Sequence, residues 1–135
     1  MRIAGVNIVA VLVAAVAIYL VGFLIFGVIV DPARWMASAG ITPEQAAAVG
    51  TSRMAYSVVM PLMTAGFMAV LFNWANVTGL ANGAKWGAMI ALASAIPALL
   101  YGWVYGVGDC FGPMLDSTHM LVGHIIAGGI LAAWK

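Results

Sequence analysis

Charge is the scarcest property of this chain. Asp, Glu, Lys and Arg make up 7% of its residues, against about 25% in soluble domains. The net charge is +1, so no basic face exists to hold nucleic acid. There is a single cysteine, Cys110, which excludes an internal disulfide and a cage of several thiolates around a metal. No nucleophile–base pair, glycine-rich phosphate loop or cluster of metal-ligand residues is visible. A catalytic role, a metal and a cofactor are therefore not expected.

What is present is apolar. Hydrophobic residues account for 65% of the 135 positions, more than a soluble fold of this length can cover. Four runs carry no charge: 3–30, 54–84, 86–108 and 117–134. A helix of about 20 apolar residues crosses the hydrocarbon layer, and each run is long enough. The expected fold is all-α, one integral domain over 1–135. It is a four-helix transmembrane bundle with spans near 6–30, 54–72, 86–104 and 117–134. A cleaved leader is not expected, because the first apolar run exceeds a signal core and Ala37-Ser38-Ala39 lies too far beyond it.

Between the first two spans, Asp31-Pro32 stops the helix, and Thr42-Pro43-Glu44-Gln45 forms a capping box with proline at the first helical position. This predicts one short interfacial helix, closed by Gly50, with Trp35 and Met36 resting on the membrane surface. Pro61 and Pro97 fall inside spans and predict kinks, with Ser57 and Ser94 near enough to bond freed carbonyls. The loops are expected at 73–85, which is rich in Asn and Gly, and at 106–116.

Arg2, Lys85 and Lys135 share one side, and Arg34 and Arg53 the other with all four acids. The positive-inside rule then places both termini in the cytoplasm, by a margin of one residue. Trp35, Trp74, Trp86, Trp103 and Trp134 are the expected interfacial anchors. Small residues recur every four positions at Gly87, Ala91 and Ala95, at Gly102 and Gly106, at Gly123 and Ala127, and at Gly128 beside His124 and Ala132. Such spacing lets membrane helices approach closely, either inside the bundle or against another subunit.

No Asp, Glu, Lys or Arg lies in the middle of a span, which argues against ion-coupled transport. Small multidrug transporters share this length but carry a glutamate in their first helix, where residues 6–30 have none. No inverted repeat links the two halves. The exception to this dryness is the polar face of the fourth helix: Asp116, His119 and His124. At about 100° per residue, His119 lies about 60° to one side of Asp116 and His124 about 80° to the other. The two rings therefore point too far apart to clamp one metal. Asp116 can orient His119 or, with Ser117, cap the helix. His124 is a candidate for a structural hydrogen bond, a contact with lipid or a partner, or a ligand or proton relay.

The opening Val6-Asn7-Ile8-Val9-Ala10-Val11, the element Trp35 … Gly40-Ile41-Thr42-Pro43-Glu44, and the ending Asp116 … His119-Met120-Leu121 … Gly128-Gly129-Ile130-Leu131 … Trp134 resemble a bacterial family of small four-span membrane proteins, known only as a domain of unknown function. The resemblance covers nearly the whole chain, although over 54–108 only the hydropathy agrees. It implies this fold in a bacterial inner membrane and supplies no reaction. Two functions follow as expectations. The first is an accessory or structural subunit packed against a larger respiratory- or photosynthetic-type complex. The second is a small homo-oligomeric transporter or channel, with a polar path along Tyr19, Ser57, Thr64, Ser94 and His124. Expected partners are the lipid bilayer and other membrane subunits.

Overall fold

A computed structural model describes residues 1–3 and 5–134, apart from the side chains at 49–52 and 54. Lys135, one of the three basic residues assigned to the cytoplasmic side, lies outside the described residues. A small antiparallel hairpin, β1 (Arg2–Ile3) and β2 (Val6–Asn7), opens the chain. Six helices follow: α1 (Ile8–Ile29), α2 (Pro32–Ser38), α3 (Pro43–Met54), α4 (Tyr56–Trp74), α5 (Leu80–Val104) and α6 (Phe111–Ala133). Four of them, α1, α4, α5 and α6, are long and apolar enough to span a membrane. The class is all-α, a multi-pass membrane protein.

Asn7 starts α1 by accepting the Val9 amide at 3.2 Å, while its own side-chain amide donates to the Trp134 carbonyl at 2.8 Å. The hairpin thereby clasps the end of α6. Gly5, at φ +82°, makes the turn directly over the Asn73 side chain. The last turns of α1, Phe23–Ile29, widen to i→i+5 bonding, as does Ala91–Ala95 in α5 just before Pro97. Near Pro97 the Ser94 hydroxyl donates to the Ile90 carbonyl at 2.7 Å.

Two helices, not one, separate the first pair of spans. Asp31 caps α2 and Thr42 caps α3, the latter with the full capping box: the Thr42 amide donates to Gln45 at 2.8 Å and the Gln45 amide to Thr42 at 3.3 Å. Hydrogen bonds from the Glu44 amide and the Thr42 hydroxyl hold the Glu44 carboxyl below the usual carboxylate range. Gly50 does not end α3, which continues to Met54.

Helices α2 and α4 stop by the same device. Gly40 (φ +65°) and Asn76 (φ +51°) turn left-handed, and the next residue's amide reaches back: Ile41 to the Met36 carbonyl and Val77 to the Phe72 carbonyl, each at 2.9 Å. These bonds satisfy carbonyls that the helix leaves orphaned. After α4 the apolar contact that accompanies such a stop is fully formed, with Phe72 and Val77 both buried. The left-handed turn predicts that Asn76→Gly is neutral, whereas Asn76→Val costs about 1–2 kcal/mol, as read by denaturant titration in detergent.

Two spans begin earlier than their sequences suggest. Helix α5 starts at Leu80 rather than near Trp86, so the expected loop 73–85 shrinks to 75–79. The Gly79 amide donates to the Ala132 carbonyl at 3.1 Å, which holds the new helix start against α6. Helix α6 starts at Phe111, not near Ser117. Asp109, rather than Asp116 or Ser117, is the capping acid, accepting the Phe111 amide at 2.9 Å. Pro113 falls in the first turn, where its missing N–H removes no helical bond. The span is therefore 23 residues long.

The core lies among α1, α4 and α6, where Ala14, Ala65 and Ala127 are fully buried. Helix α5 is held chiefly by α6. A Cβ on Gly87 would collide with the His124 carbonyl, and one on Gly83 or Gly128 with the other's carbonyl. The two backbones touch.

A lipid-facing cavity and an acidic groove

The first half of α6 separates two concave sites. One is a cavity of about 350 Å³ between α1, α4 and α6. From α1 come Ile18, Tyr19, Gly22, Phe23 and Phe26; from α4, Ser57, Met60, Pro61 and Thr64; from α6, His119, Met120 and His124. Tyr19, Phe23 and Met60 are 44%, 55% and 61% exposed, so the cavity opens sideways between α1 and α4, toward lipid. Its wall is mostly apolar, with a few polar groups set into it. Small-molecule sites have this character and run from about 300 to 1,000 Å³.

Both histidines border this cavity. His119 reaches across to α1, where Nε2 lies 3.1 Å from the Ile18 carbonyl. Its ring sits over Gly22, whose absent side chain makes the room, and meets Phe26 edge-on with centroids 6.0 Å apart. His124 is only 5% exposed. Its Nδ1 lies 2.6 Å from the Met120 carbonyl one turn earlier. A carbonyl only accepts, so in each pair the ring nitrogen carries the proton.

Asp116 does not join them. It lines the second site, a groove of about 370 Å³ walled by α2, the end of α5 and the start of α6, with Trp35, Leu99 and Trp103 among its apolar neighbours. Among the described residues Asp116 makes no hydrogen bond or ion pair, and it acts on His119 only through its charge. The nearby Arg34 is used elsewhere: it pairs with Asp109 at 3.4 Å and lies 4.7 Å from the Phe111 ring centre. Buried Ser38 fastens α2 to this end of the bundle, accepting the Asp109 amide on its carbonyl at 3.2 Å.

Of the five residues proposed for a polar path, Tyr19, Ser57, Thr64 and His124 share the cavity. Ser94 is exposed on α5 and bonded to its own helix. Of the small residues, Gly87 and Ala91 are buried on α5, Gly123 faces Ile18 of α1, and Gly128 meets α5. Ala95 is half-buried, and Gly102 and Gly106 are exposed, with open space beyond the Gly102 Cα. Gly83 was missed because its Asn82-Gly83 context reads as loop; the spacing Gly83, Gly87, Ala91 is the signal that identifies it. Trp74 and Trp134 stand at the hairpin end of the spans, Trp35 and Trp103 at the other. Trp86 is packed edge-on against Phe72, with ring centroids 6.5 Å apart.

A family model described as a protein of unknown function, DUF1761, matches residues 9–132. No curated protein and no solved structure matches the chain.

Proposed function

We propose that the chain, which belongs to the DUF1761 family of proteins of unknown function, is a non-enzymatic accessory subunit that docks on another membrane protein of a bacterial inner membrane. Asp116 carries this reading. Ionisable groups within spans are expensive and are kept where they are paired. Here the carboxylate lines a groove whose walls are mostly apolar, with Ser38 and Asp109 set among them, and no described residue gives it a hydrogen bond. A lysine, arginine or hydroxyl from a neighbouring subunit would complete it. The open face of α5 at Gly102, beside the same groove, lets a partner helix come close. Arg2 and Lys85 at the hairpin end support a cytoplasmic position for both termini.

The test is gentle extraction of the chain from its host membrane, followed by mass spectrometry of what accompanies it. A defined larger complex is expected, and Asp116→Asn should weaken its hold on the partner about thirtyfold, since removing one member of a desolvated pair costs upwards of about 2 kcal/mol. Migration of the native chain as a free monomer or homo-oligomer would refute the proposal.

A further inference from the structure

The cavity between α1, α4 and α6 is independent of any partner at the Asp116 groove. With Nδ1–H donated to the Met120 carbonyl, the neutral His124 ring keeps its lone pair on Nε2. That nitrogen makes no hydrogen bond among the described residues, although the residue is buried, at 5% exposure, and borders the cavity. The atom itself is open to the cavity rather than walled in. Within a membrane span an acceptor left without a donor is still costly, about 1–3 kcal/mol, and it sits in a space large enough for a small ligand.

We propose that this cavity binds a membrane-dissolved aromatic alcohol, a flat phenol- or hydroquinone-type head on an apolar body, whose hydroxyl donates to His124 Nε2. Three features select this class. Entry is sideways from lipid, past exposed Tyr19, Phe23 and Met60, so the ligand partitions into the bilayer. The wall offers Phe26 and Met120, surfaces that suit a ring face or edge. The vacant polar group is an acceptor, so the ligand must bring a donor. An ion or sugar would strand its remaining polar groups against this wall.

The experiment uses the full chain in lipid nanodiscs, with 2-naphthol as probe and 2-methoxynaphthalene, its methyl ether, as the donor-less control. Binding is read by probe fluorescence against empty nanodiscs, which corrects for partition into lipid. Saturable 2-naphthol binding is expected, about fivefold tighter than that of the ether, the equivalent of one net hydrogen bond. His124→Leu should abolish the difference between the two probes. Met60→Trp, at an exposed position on the rim where folding is not at stake, should weaken both. Circular dichroism checks that each variant keeps its helices. Absence of saturable binding, or equal affinity for the two probes in the native chain, would overturn the proposal. So would a Soret band in the purified protein, which would assign Nε2 to a haem iron instead.

Discussion

Gly87→Leu should detach α5 from α6 and cost at least about 3 kcal/mol, the upper range of overpacking in a filled core. Most overpacked side chains are relieved by a neighbour's change of rotamer. Here the obstacle is backbone: a Cβ at Gly87 meets the His124 carbonyl, and Gly83 and Gly128 make the same approach one turn further along. Only movement of a whole helix can relieve the clash. In lipid no hydrophobic force pulls the helices back together, because acyl chains are as apolar as Leu; close packing is what joins them. Since α5 is held chiefly through α6, its other contacts, such as Trp86 against Phe72, are a lesser grip. An SDS titration in detergent reads the loss. Gly102→Leu is the control on the same helix, where open space lies beyond the Cα, and it should stay within about 0.5 kcal/mol of the native chain. Equal effects of the two substitutions would remove the backbone contact from the account.

Phe72→Ala should be the most damaging truncation, at about 3 kcal/mol. Among the described residues Phe72 is the largest fully buried side chain, at 2% exposure. It joins three parts of the fold: the end of α4, the residue Val77 that completes the helix stop, and Trp86 of α5. In water, part of such a cost is transfer of the ring. In a membrane the unfolded helices already lie in hydrocarbon. The cost is then the dispersion attraction that the walls of the void forfeit, and the lower end of the usual range applies. Near-UV circular dichroism should report loosening around Trp86. Phe67→Ala, on a ring that is 72% exposed toward lipid, should change little. A Phe72→Ala protein as resistant to SDS as the native chain would refute the assignment of Phe72 to the core.

The four spans were legible because a missing charge is a property of sequence alone. Their starts were not. Leu80-Ala81-Asn82-Gly83 and Phe111-Gly112-Pro113 have the chemistry of loops, yet both are helical. Gly83 is placed by the α6 backbone it touches, and Pro113 by the Asp109 cap before it. These are tertiary and capping facts that outweigh local propensity. The polar face of α6 was visible as Asp116, His119 and His124, but their division between a cavity and a groove was not. That division depends on which neighbours flank the helix: α1 and α4 for the histidines, α2 and α5 for the aspartate. The hairpin at residues 2–7 left no periodic signal, being too short to show alternation. Asn7 before the apolar run was the one mark of where α1 begins.

The bond from Asn7 to the Trp134 carbonyl spans 127 residues of sequence, and that from His119 to Ile18 spans 101. Of these four spans, the first to be made therefore finds its principal neighbour in the last of the four. During translation α1 must wait in the bilayer, with α4 alone beside it, until α6 has been inserted. A nascent chain arrested before α6 has neither the clasp on its hairpin nor a mate for α5, and would present membrane quality-control proteases with that one unpartnered helix.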